Sequence, residues 1–164
     1  MNDSFETMKK TKIALTLATL LAVAGMAVTA YLIYQHYKIP GESFCNISDF
    51  ISCDVVNKSI YSEFLGIPVS ILGFLTYLLL TACLVSLVRN WSIEKLHRTV
   101  TRARMTLLLI VISGIGLLFS LYLSYIEFFV LRALCIFCLT QQILILLIFL
   151  TLGYVWFHDR KSSL

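Results

Sequence analysis

Two cysteines three residues apart, Cys135 and Cys138, open an apolar run that continues to Phe157. A C-x-x-C pair is a redox or metal motif, and this one begins a segment long enough to cross a bilayer. On a helix the two sulfurs share one face of the first turn, where unpaired backbone N–H groups and the helix dipole stabilise a thiolate. The chemistry to expect is dithiol–disulfide exchange at a membrane surface. A second pair, Cys45 and Cys53, stands in the only sizeable polar loop. A thiolate attacks a disulfide through a mixed-disulfide intermediate, so a mobile pair and a fixed pair can pass two electrons from an external partner to a buried acceptor. The plainer reading of Cys45 and Cys53 is a single structural disulfide pinning the loop. For the C-x-x-C it is a metal half-site, but His36 is the only histidine on that side and no zinc site is expected. Cys83 lies deep in the second apolar run and reads as core filling.

The elements that must position these sulfurs follow from composition. The 164 residues are 59% hydrophobic and 13% charged, with a mean hydropathy of +0.89. A soluble domain is about half apolar and a quarter charged, so that class is excluded. Four apolar runs, about 13–34, 67–88, 105–126 and 134–157, predict an all-α integral membrane protein with a bundle of four transmembrane helices, one domain over 1–164. The first run continues past Val28-Thr29-Ala30, an acceptable signal-cleavage site, and is longer than a signal core. Ala14, Ala18 and Ala22, and later Gly116, Ser120 and Ser124, recur in four-residue steps that let helices approach closely in lipid. In the outer loop, 35–66, the helical step of Val55, Val56, Ile60 and Phe64 predicts a short amphipathic helix from Asp54 to about Phe64 that caps the bundle. Gly66-Ile67-Pro68 ends it and starts the second span.

Charge orients the bundle. Of 13 Lys and Arg residues, only Lys38, Lys58 and Arg132 fall on the side of the outer loop. The others lie in the N-terminal tail, in the loop after the second span and in the C-terminal tail. Positive residues mark the cytoplasmic side, which puts both termini there and both cysteine pairs outside. That is the compartment in which disulfides persist.

Four features taken together resemble the vitamin K epoxide reductase family, in particular its prokaryotic homologues. They are the C-x7-C of Cys45 and Cys53, Ser59 six residues later, the G-I-P-V-S-I-L-G run from Gly66 to Gly73, and the late C-x-x-C. The resemblance covers nearly the whole chain. It implies a four-helix bundle around a quinone of the ubiquinone, menaquinone or phylloquinone type. Quinone reduction would be coupled to oxidation of a thioredoxin-like protein, supporting disulfide-bond formation in exported proteins. It also implies that Cys138 faces the quinone, that Cys135 exchanges with a loop cysteine, and that Ser59 helps to position the quinone from the capping helix. Many prokaryotic relatives carry a fused thioredoxin-like domain; this chain stops at Leu164, so a separate DsbA-like partner is expected. The inner (plasma) membrane of a bacterium or archaeon is the expected location, with an endoplasmic reticulum vitamin K quinone and epoxide reductase as the alternative.

Two positions depart from the vertebrate pattern: Gln142 replaces a tyrosine four residues past the last cysteine, and Val69 replaces an asparagine early in the second span. Gln142, one turn beyond Cys138, is a candidate donor to a quinone carbonyl or a bond to a neighbouring helix. Other classes fit less well. DsbB-type oxidases have the two cysteine pairs in the opposite order. A non-enzymatic scaffold with one stapled loop leaves the C-x-x-C unexplained. A small multidrug-type transporter wants an ionisable residue inside a span; the nearest, Glu127, reads as interfacial. There is no flavin or nucleotide fingerprint, and neither a metal nor a nucleic acid is expected.

Overall fold

In lipid a backbone can satisfy its polar groups only within itself, so the apolar runs must be helices. The computed structural model describes residues 2–39, 43, 45–48, 50–89 and 102–161. The long helices are α1 (Asn2–Tyr37), α3 (Val69–Val88), α4 (Arg102–Tyr125) and α5 (Ile136–Lys161), with a short α2 (Cys53–Asn57) in the outer loop. Each long helix is long and apolar enough to cross a membrane. Lys95, His97 and Arg98 of the expected basic loop lie outside the described residues, as do Pro40, Gly41, Glu42 and Asp49 of the outer loop.

Helix α1 lies against both α3 and α5, α4 lies against α5, and the α3–α4 seam is the one that barely closes. Away from the cysteines the interior is dense. Leu15, Leu80, Leu84, Ile148 and Leu152 are buried around Ala18 and Ala22, which are fully covered, so the alanine step of α1 is a packing face. Cys83 packs against this core. At the same end Asp159 joins three helices: it accepts from Thr11 Oγ1 at 3.4 Å and pairs with Arg102 Nε at 3.3 Å.

The other end is irregular. Helix α2 is capped by Ser52, whose Oγ accepts from the Val55 N–H at 3.4 Å. A single 3-10 turn, Ile60–Ser62, follows, and then a hairpin of β1 (Glu63–Phe64) and β2 (Ile67–Pro68). The capping helix therefore covers Cys53–Asn57 and not the whole of Asp54 to Phe64. Side chains end it: Ser59 Oγ donates to Val56 O at 2.8 Å and Ser62 Oγ to Asn57 O at 2.8 Å, taking carbonyls that a longer helix would need. Leu65 and Gly66 both have positive φ, 54° and 76°, which suits the tight hairpin turn. Pro68 then caps α3. Helix α4 does not stop at Tyr125 but widens into a π-turn, Ile126–Leu131, closed by Arg132 in the left-handed region at φ 49°. Such turns recur at functional sites.

Candidate functional site

The outer loop is registered against the C-x-x-C by backbone pairing. Ile51 and Leu134 form a parallel bridge, in which Ser52 N–H donates to Leu134 O at 3.1 Å and Leu134 N–H donates to Phe50 O at 2.7 Å. Cys53 and Cys135 follow directly on the two strands, and their sulfurs lie 3.4 Å apart. Cys53 is bonded to Cys45, with Cα atoms 5.6 Å apart, while Cys135 and Cys138 are free thiols. Cys45, Cys53 and Cys135 are all buried, sharing a small core with Leu32, Val56 and Ala133.

Cys135 is the residue before α5, and its Sγ accepts from the Cys138 N–H at 3.3 Å, the contact an N-cap side chain makes to the third helical residue. The loop disulfide is braced from outside. Asn46 Nδ2 donates to Asp54 Oδ2 at 2.8 Å, Ser52 Oγ donates to Asn46 Oδ1 at 3.0 Å, and Lys58 Nζ pairs with Asp54 Oδ1 at 3.5 Å. Lys58 also donates to Lys38 O at 2.6 Å, tying α2 to the end of α1. Asn57 Nδ2 donates to Leu32 O at 2.8 Å within the buried interior.

Where α3 and α4 fail to close, a cavity of about 610 Å³ opens. Cys138 and Ser59 both line it; Cys135 and the loop disulfide do not. Gly116, Ser120 and Ser124 form part of its α4 wall, so that step of small residues makes room as well as contact. Gln142 is not a lining residue; its Oε1 accepts from Ser124 Oγ at 2.5 Å. Its neighbour Gln141 is, held by Nε2 donating to Gly25 O at 3.0 Å and by Tyr77 Oη donating to its backbone carbonyl at 3.1 Å. Two buried polar atoms on residues of this wall, Ser70 Oγ and Gln141 Oε1, have no hydrogen-bond partner. A quinone is a flat apolar ring with two carbonyl oxygens, and these residues fit one: apolar walls, a size within the range of about 300–1,000 Å³ for small-molecule sites, and a free hydroxyl donor.

Glu127 is the site residue that sequence reasoning missed. Expected at the interface, it is instead buried in the protein: it is only 2% exposed, its Oε2 accepts from the Cys135 N–H at 3.1 Å, and it lies on the cavity wall with Cys138. The π-turn carries it inward, and its own carbonyl accepts from the Ala133 N–H at 3.2 Å, closing the turn that delivers Cys135. The available signal was an ionisable residue within a span and eight positions before the C-x-x-C.

A family model described as the vitamin K epoxide reductase family matches residues 16–152, a stretch that contains both cysteine pairs and the whole cavity wall. The chain belongs to the vitamin K epoxide reductase family. It is therefore a multi-pass membrane oxidoreductase that works through cysteines, in a family that uses quinones. The match ends before Asp159, so that half of the far-end ion pair lies outside the matched residues while Arg102 and the sulfur cluster lie within them.

Proposed function

We propose that this member of the vitamin K epoxide reductase family is a thiol–quinone oxidoreductase that moves electrons inward through two cysteine pairs. The observation that carries the reading is the 3.4 Å contact between Cys135 and a sulfur of the loop disulfide, with Cys138 on the cavity side of the same turn. A thioredoxin-like dithiol reduces Cys45–Cys53 and leaves as a disulfide. Cys45 is the sulfur the partner meets, since Cys53 is already against Cys135; it is itself buried, so its surroundings must open to admit the partner. Cys53 thiolate then attacks Cys135 of an inner Cys135–Cys138 disulfide, and Cys138 leaves as the thiolate. Cys45 closes on Cys53, re-forming the loop disulfide and releasing Cys135. Two electrons now rest on the inner pair, the arrangement of bonds seen here.

A quinone in the cavity supplies a two-electron, two-proton acceptor. Ser70 Oγ would hold one of its oxygens, and Gln141, locked by Gly25 and Tyr77, would accept a hydrogen bond from the reduced form. Ser59 stands on the same wall, but its hydroxyl proton is committed to Val56 O, leaving the oxygen as an acceptor. Apolar walls exclude water from the inner sulfurs. The charge asymmetry supports cytoplasmic termini and extracytoplasmic cysteines in the inner membrane, where a DsbA-like protein would be the thiol donor.

The test separates the two inner sulfurs. In purified protein supplied with a dithiol and a short-chain quinone, Cys138→Ala should abolish quinone reduction. The same variant should accumulate a Cys53–Cys135 disulfide and a free Cys45 thiol, read by mass spectrometry. Cys135→Ala should lose quinone reduction and form no such bond. Retained turnover in either variant would sink the relay.

A further inference from the structure

Oxidising two thiols against a quinone releases two protons that must reach the quinone oxygens, and the cavity walls are apolar. One acidic side chain is buried at the right place. Glu127 lies on the same cavity wall as Cys138, and its carboxyl accepts from the Cys135 N–H at 3.1 Å, at the start of the turn that carries Cys138. We propose that Glu127 is the proton-transfer group of the inner pair: its carboxylate takes the proton released by Cys138 and delivers it to a quinone oxygen in the cavity. The step balances. Cys135 and Cys138 lose two electrons as their S–S bond forms, the quinone gains them, and two protons pass from the thiols to its two oxygens. Glu127 carries them in turn, its carboxyl held at the Cys135 backbone N–H and on the cavity wall with Cys138, and it ends the step as it began.

A purely structural role does not account for the charge. The amide oxygen of a glutamine would accept the Cys135 N–H equally well, and an ionisable group buried inside a membrane is costly to keep. The other titratable groups on the elements around it are already committed or differently placed. Asp54 on α2 is bound by Lys58 and Asn46, Tyr77 on α3 donates to Gln141 O, and Tyr61 stands on the cavity wall beside the 3-10 turn. No second carboxylate lines the cavity among the described residues.

The proposal rests on the thiol–quinone reading and is tested with Glu127→Gln and Glu127→Asp in the full chain. With a dithiol and a short-chain ubiquinone analogue, Glu127→Gln should slow quinone reduction about 10²-fold or more, the lower end of what general acid–base groups contribute. Reduction of the loop disulfide by the dithiol should stay at the wild-type rate, and Glu127→Asp should recover part of the loss. A second readout needs no quinone. In the reduced protein, the pH midpoint for alkylation of Cys138, followed by mass spectrometry, should move by about one unit or more in Glu127→Gln, as expected when a neighbouring charge is removed. Wild-type quinone turnover in Glu127→Gln, or an unmoved midpoint, would overturn the proposal alone. Loss of loop exchange together with quinone reduction would reduce Glu127 to a brace and also overturn it. Wild-type protein that reduced no quinone would instead bring down the thiol–quinone reading, and this proposal with it.

Discussion

At the end that holds both termini, leucines and isoleucines of α1, α3 and α5 close over Ala18 and Ala22, and the helices stay regular to their ends. At the cysteine end the same helices part. There α4 widens into a π-turn, the buried cluster is small and half of it is sulfur, and the α3–α4 seam holds a cavity in place of side chains. The difference follows from what each end must bury. Apolar side chains pack at no polar cost, whereas the sulfur end must also bury Asp54, Asn57 and Glu127, and each needs partners that regular helices do not offer. Tight packing in one half leaves the other free to be irregular, and irregularity is what lets a loop cysteine reach the start of α5.

If the dense half sets stability and the open half sets chemistry, substitutions should sort accordingly. Leu80→Ala, at a fully buried site of the dense core, should cost about 2–5 kcal/mol. Thermal or denaturant unfolding in detergent would show it as a lower midpoint, while sulfur exchange per folded molecule stays unchanged. Altered exchange in the folded fraction would break the division. Asn57→Ala should do the reverse in kind and less in size. It removes one of the bonds that hold α2 against α1, worth about 0.5–1.5 kcal/mol because Leu32 O keeps its own helical partner. The sharper readout is the rate at which Cys53 and Cys135 exchange in a Cys138→Ala background, which should fall because the two strands lose their common anchor. An unchanged rate would mean that the Ile51–Leu134 bridge alone holds the register.

The dense half was the legible half. Hydropathy needs only run length, and Ala18 and Ala22 lie buried where their four-residue step puts them. At the open end the same kind of periodicity misled. Val55, Val56, Ile60 and Phe64 keep a helical step, yet Ser59 and Ser62 spend their side chains on nearby carbonyls and the helix ends at Asn57. The two adjacent glutamines differ by a single residue's rotation. Counting one turn from Cys138 selects Gln142, but the cavity wall falls on Gln141, because the gap between α3 and α4 is a tertiary fact that no single helix encodes. Glu127 sits where a span would end if α4 stopped at Tyr125, and only the π-turn brings it under Cys135. The four cysteines could be read as two pairs from spacing; that Cys53, and not Cys45, faces Cys135 follows from strand register.

The smallest effect gives the strictest check on that division. Asp159 pairs with Arg102 at 3.3 Å, and both side chains are partly exposed, at 33% and 44%. A pair so placed contributes at most about 1 kcal/mol, because water and salt screen it and two long side chains must be held still. Asp159→Asn should therefore lower the unfolding midpoint slightly at low salt, with the difference shrinking as salt is added. The sulfurs lie at the other end of α5, with the Ile148–Leu152–Val155 core in between. A rigid, well-packed core passes on a change at one end only if it has two arrangements to choose between. Exchange between Cys53 and Cys135, measured beside the stability change, should not move at all. If it did, α5 would be shifting as a unit between two positions, and the quiet end of the bundle would belong to the redox cycle.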